Sequence, residues 1–271
     1  MGTLRVLLAL SVLAGHASSI LGSRLIDAGA AVHVFFVVSG FYMALILSEK
    51  YRDRATFYLN RALRLWPTYL VVLLATWSWY YVCWHYTGKK PPPLWVPEAY
   101  AAMPYWQAFL LRAANFTMVG LEIPYFFAYL PGEGFLFKPT TVPLPGAAHD
   151  GNSFVVISQA WSISLELWFY LVAPFLVRRR VAFLVGLALA SVAVNLSSDA
   201  FNIPTYFFFP AQLYLFVLGI LVYRLYDFYQ DAIERRPWGW PALGAVVAAF
   251  VAYERSEEHT SELQSHSFIS Y

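Results

Sequence analysis

Apolar residues gather into seven runs along this chain, at residues 4–21, 30–47, 65–84, 160–177, 181–196, 205–223 and 238–253. A helix that crosses a bilayer needs about 20 residues, with a range of roughly 17–25, and each run is near that length. The pattern predicts an all-α fold, a polytopic transmembrane helix bundle with about seven spans present. Residues 105–119 are too interrupted by polar positions to count as a span, and read as an interfacial or re-entrant helix. Residues 85–159 hold ten of the sixteen prolines. They are expected to form no independent core and to lie over the outer face of the bundle as a cap, because long irregular loops tend to be functional or disordered. Gly132-x-Gly134 lacks the third glycine and the βαβ setting of a nucleotide-binding turn, so it carries no weight.

Composition agrees with that pattern. Of 271 residues, 59% are hydrophobic and 13% charged, and the mean hydropathy is +0.54. Soluble domains carry about 25% charged residues, which argues against a water-soluble globule and for the lipid bilayer as a partner. A net charge of +2, with its basic residues scattered, argues against nucleic acid. The single cysteine, Cys83, rules out an intrachain disulfide and a CxxC metal site. Aromatic clusters at the ends of runs, such as Trp77, Trp79, Tyr80, Tyr81, Trp84 and Tyr86, read as an interfacial belt.

Loop charges orient the runs. If the runs alternate, Arg5, Lys50, Arg52, Arg54, Arg61, Arg64, Arg178, Arg179, Arg180, Arg224, Arg235 and Arg236 share one side, against Arg24, Lys89, Lys90, Arg112 and Lys138 on the other. The positive-inside rule makes the richer side cytoplasmic. The expectation is an integral protein of the inner (plasma) membrane with a cytoplasmic N-terminus.

The chain changes character after Glu254. Residues 255–271 are polar, and the stretch from Arg255 to Ser265 resembles the translated read-through of a sequencing-library adapter. On that reading residues 1–254 are the membrane domain, cut during its seventh span, and 255–271 are an artefactual tail. His259 and His266 then carry no function.

Several polar residues interrupt the apolar runs. Arg5 and His16 are eleven positions apart, which on a helix places both on one face, about 16 Å apart along the axis. Ionisable groups so placed within a membrane are costly, and function is the default reading. The same run, with Gly15 and Ala17, also fits a signal peptide cleaved after Ala17, and local features do not separate the two. Arg61 and Arg64 share a helix face and form a fork suited to phosphate. Taken alone they read more simply as headgroup anchors whose side chains snorkel. Glu166 lies about one turn into the fourth run, on the face of Ser162. It is either a functional carboxylate or a helix-start acid favoured by the macrodipole, with Ser162 as cap. Ser39-Gly40 reads first as a small-residue packing site. His33 reads as a lone interfacial histidine.

Taken together these segments resemble the membrane acyltransferase-3 family, which O-acylates cell-surface glycans. LRVLLALSVLAGH resembles the family's opening helix, with its Arg-x10-His pair at Arg5 and His16. VHVFFVVSGF, which contains Ser39, resembles the second helix. FYLNRALRLWPTYL resembles the segment with the paired arginines, here Arg61 and Arg64. WSISLELWFYL resembles the WSL-x-x-E-x-x-FYL stretch, with Trp161, Ser162 and Glu166 in place. His33 stands where the family often has Asp. The resemblance implies about ten spans, against seven here, and an uncleaved first helix. It implies acyl-CoA, commonly acetyl-CoA, as a cytoplasmic donor substrate with no bound cofactor or metal. The acceptor is a carbohydrate hydroxyl, on a polysaccharide, a lipopolysaccharide or a lipid-linked sugar. Arg5, Arg61 and Arg64 are then donor-binding, His16 and Glu166 catalytic, and Ser39, Trp161 and Ser162 supporting. The rival reading is a transporter or exporter, since intramembrane Arg, His and Glu also line substrate pathways.

Overall fold

The computed structural model describes residues 8–10, 12, 28–51, 53–88, 100, 103–138, 149–201 and 203–234. Arg5, His16, the run 238–253 and the tail lie outside the described residues. The chain is mostly helical: α1 (Ala28–Glu49), α2 (Arg54–Thr87), α3 (Tyr105–Thr117), α4 (Trp161–Leu176), α5 (Val181–Phe201) and α6 (Phe209–Glu234).

The bundle is built on the pairing of α1 with α6. Helix α1 is apolar on every side, the composition of a helix enclosed by protein or lipid. Glycines let its backbone approach α6 closely. A Cβ on Gly40 would lie 2.0 Å from the carbonyl oxygen of Phe216, and one on Gly219 would lie 2.1 Å from that of Val37. Around this crossing Phe216 stacks on Phe36 at 4.6 Å and on Phe169 of α4 at 4.4 Å. Ser191 fastens α5 to α6, donating to the Pro210 carbonyl at 2.6 Å and accepting from the Tyr214 N–H at 2.9 Å. Arg224 Nη2 donates to the Val177 carbonyl at 2.7 Å, tying α6 to the end of α4.

Two described helices are long and apolar enough to cross a membrane, Gly29–Glu49 and Phe209–Tyr229. The run 160–177 becomes a helix of 16 residues, short of a full span. The expected seven-span bundle is thus represented by two membrane-length apolar helices and shorter or less apolar partners.

Helix α2 differs from its run, 65–84. It starts at Arg54, passes through Pro67 and ends at Thr87, 34 residues in all. Asp53 starts it, its carboxylate accepting from the Thr56 N–H and hydroxyl, each at 2.8 Å. The backbone bond holds the Asp53 carboxyl below its ordinary range. Proline lacks the N–H that a helix interior uses, yet Pro67 does not end the helix. Leu63, Val71, Leu74 and Trp79 are exposed along α2, an apolar surface of the kind that meets lipid or a partner.

The outer segment corrects the all-α expectation. After α3 and a 3-10 turn (Ile123–Phe126), the strands β1 (Phe127–Leu130), β2 (Gly134–Phe137) and β3 (His149–Asp150) form an antiparallel sheet in the order β2–β1–β3. Tyr129 pairs with Phe135 on one side and His149 on the other. Gly132 and Gly134 both have φ of 91°, left-handed backbone that glycine adopts without strain, so this pair serves a hairpin. The segment also has a small apolar cluster of its own, Met103, Ala108, Leu111, Tyr129 and Phe154, where the sequence predicted none. Helix α3 falls within residues 105–119, where a helix was expected.

Candidate functional site

Glu166 is 3% exposed. Its Oε1 accepts from the Ser39 hydroxyl at 2.6 Å and from the Tyr170 hydroxyl at 2.5 Å. Ser39 is the twelfth residue of the 22-residue α1, so Glu166 lies level with the middle of that helix. The helix-start reading fails for two reasons. Glu166 is the sixth residue of α4, and the macrodipole acts mainly within the first turn. Nor is Ser162 a cap: its hydroxyl donates to the Gln159 carbonyl at 3.1 Å, while Ala160 holds the N-cap position. Trp161 packs into the core, edge-on to Phe36 and against Tyr206 and Phe207. His33 is half-buried with its ring against Tyr206 at 5.6 Å. Ser39 and Gly40 divide the two tasks the sequence left open: the glycine packs and the serine bonds the carboxylate.

The two arginines have different surroundings. Arg61 is 7% exposed, with its guanidinium 5.8 Å from the Phe57 ring and 5.9 Å from the Tyr42 ring. Its Nε and Nη1 have no hydrogen-bond partner among the described residues. A snorkelling anchor would place its head in water or among headgroups, so the anchor reading does not fit Arg61. Arg64 is exposed one turn on. Both lie inside α2, Arg61 about 10 Å along the axis from Arg54, and not at the entrance to a helix.

Arg64 opens onto a cleft of about 440 Å³. Its walls include Leu8, Ala9 and Val12 of the first run, Phe35 of α1, Thr68 of α2, and Gln159 and Ser162 at the start of α4. Ile163 also lines it. Ser162 and Ile163 are about 100° apart on α4, and Glu166 projects from the sector between them. Arg64, Ser162 and the Glu166 face are thereby brought to one side of α4; Trp161 is turned into the core.

A second buried carboxylate went unnoticed in the sequence. Glu122, 5% exposed, accepts from the Ser164 hydroxyl on one oxygen and from Trp168 Nε1–H on the other, the latter at 2.6 Å. Ser164 Oγ also accepts from the N–H groups of Gly120 at 3.0 Å and Leu121 at 3.2 Å. The available signal was an acid between Leu121 and Ile123, and Ser164 and Trp168 four apart on one helix face. Nearby, burial pushes the Tyr125 hydroxyl up to about 12, and it donates to the Ser158 carbonyl at 2.7 Å. Among the described residues no group of three or more His, Cys, Asp or Glu is placed to hold a metal ion.

A mostly helical chain with two apolar helices long enough to cross a membrane, and a carboxylate buried between α1 and α4, has the features of a helical membrane protein. This one belongs to the acyltransferase-3 family, whose model, described as an acyltransferase domain, matches residues 2–270. No curated protein and no solved structure matches the chain.

Proposed function

We propose that this chain is a membrane O-acyltransferase that moves an acyl group, acetyl in the first instance, from acyl-CoA to a hydroxyl of a cell-surface or lipid-linked carbohydrate. The observation that carries the reading is the cleft between the first run, α1, α2 and α4. Leu8, Ala9 and Val12 line it. In the sequence, Arg5 and His16 belong to the same apolar run as these residues. Arg64 of α2 and Ser162 and Ile163 of α4 line the cleft as well, and Glu166 lies buried within one turn of them on α4. In this reading Arg5, His16 and Glu166 serve one passage through the bundle, with the N-terminus in the cytoplasm.

In this mechanism Arg5, Arg61 and Arg64 hold the donor's phosphates, Arg61 with the buried N–H groups that lack a partner. Neutral His16 takes the proton of the acceptor hydroxyl as its oxygen attacks the thioester carbonyl. The C–S bond breaks, the new C–O bond gives the ester, and the proton passes to the departing thiolate. Alternatively the imidazole itself carries the acyl group between donor and acceptor. Glu166, oriented by Ser39 and Tyr170, sets the imidazole or contacts the acceptor.

The test is acetyl transfer from labelled acetyl-CoA to glycan in membranes containing this chain. Transfer is expected, with His16→Ala lowering it at least about 100-fold. Absence of transfer, or a fully active His16→Ala, overturns the reading in favour of a transporter or a non-catalytic subunit.

A further inference from the structure

Helix α4 carries two carboxylate-centred networks on opposite sides. Ser164 and Trp168, about 40° apart around the helix, hold Glu122 of the outer segment. Glu166 and Tyr170, also about 40° apart, meet Ser39 of α1. The centres of the two faces are separated by about 160°. Turning α4 to move Glu166 therefore pulls Ser164 and Trp168 away from Glu122.

The Glu122 side is closely matched to that task. A serine hydroxyl has one donor and two acceptor lone pairs, and Ser164 uses all three: one bond to Glu122 and two from backbone N–H groups. Both carboxylate oxygens of Glu122 are engaged, by donors one helical turn apart. Such buried networks tolerate little displacement, because each broken bond leaves a desolvated polar group.

We propose that Glu122 is a positioning residue: it fixes the rotation of α4 and so holds Glu166 against Ser39 of α1, on the side of α4 whose Ser162 and Ile163 line the cleft. It touches no reacting atom in this account and acts through Ser164 and Trp168. Its effect on rate rests on the acyl-transfer reading above; its effect on the orientation of α4 does not.

Glu122→Gln tests this, since it keeps the shape but turns an NH2 group toward Ser164 or Trp168. In membranes supplied with labelled acetyl-CoA, kcat is expected to fall about tenfold with KM for acetyl-CoA unchanged, and Glu122→Asp to recover part of the loss. The thermal midpoint in detergent should move by only a few degrees. An unchanged kcat overturns the proposal. So does a loss shared with KM and accompanied by a large fall in midpoint, which marks a general structural role. The second measurement is independent of activity. In a Cys83→Ser background, Ile163→Cys places a thiol on the cleft wall, and its N-ethylmaleimide labelling rate should change several-fold when Glu122→Gln is added. An unchanged labelling rate overturns the proposal even if no acetyl transfer is ever seen. Should Glu122→Gln fail to accumulate, Trp168→Phe, which removes one donor only, replaces it in both measurements.

Discussion

The α1–α6 pair and the outer segment are both buried, but by different forces. Between α1 and α6 the contact is apolar and close, with backbone against backbone at Gly40 and Gly219 and phenyl rings stacked beside them. The outer segment packs on Tyr69 and Leu73 of the bundle through Met118, Leu121, Val155 and Val156, but it is also held together, and to the bundle, by polar atoms. Asn115 alone makes two donor bonds, to the carbonyls of Leu111 and Phe154, and accepts from the Val156 N–H. Its own carbonyl accepts from Tyr69 of α2 at 2.7 Å. The contrast teaches where each kind of error is costly. The bundle is sensitive to added volume, and the outer segment to a single lost donor.

The largest expected effect follows from crowding the bundle. Gly219→Val drives a branched side chain into the α1 backbone and should cost about 3 kcal/mol, read as a lower unfolding midpoint in detergent. A midpoint equal to wild type would mean that α1 and α6 separate freely. Next comes the outer segment. Asn115→Ala leaves the Val156 N–H and the Phe154 carbonyl without this partner, a loss of about 2–3 kcal/mol. Hydrogen exchange should quicken at Val156 while amides of α1 stay protected. If exchange quickens equally in both, the two regions are one cooperative unit and the contrast collapses. The smallest effect is at Asp53, outside both regions. Its carboxyl titrates below the ordinary value in the folded chain. Its support for the first turn of α2 is therefore complete above the unfolded pKa, about 3.9, and is lost as pH falls through the lower folded value. Amide exchange at Thr56 should accelerate only at that acid end, and Asp53→Asn should blunt the dependence.

Much of the helical frame was legible because apolar runs are local features. The runs 30–47, 181–196 and 205–223 correspond to α1, α5 and α6 with shifted ends. The start of α2 was hidden because residues 54–64 are mixed in polarity; the Asp53-x-x-Thr56 cap was the readable clue. The sheet was hidden for another reason: its strands are two to four residues long, and their pairing is set by contacts distant in sequence. Glu166 was found by motif, yet its depth was misjudged, since position along its own helix says nothing of the height of Ser39 on the neighbour. Glu122 lay in a loop read as irregular, and only the fold brings it to Ser164.

The length of α2 has a mechanical meaning. At about 1.5 Å per residue its 34 residues form a rod of about 50 Å, while the hydrocarbon layer is about 30 Å thick. Such a rod must tilt or protrude. Its first turns hold Arg61, and farther along Trp66 Nε1 and the Tyr69 hydroxyl grip the carbonyls of Phe116 and Asn115 at 2.9 and 2.7 Å. A continuous helix of this kind can act as a lever: the segment that grips it at Trp66 and Tyr69 is tied to the buried guanidinium about two turns away on the same rod.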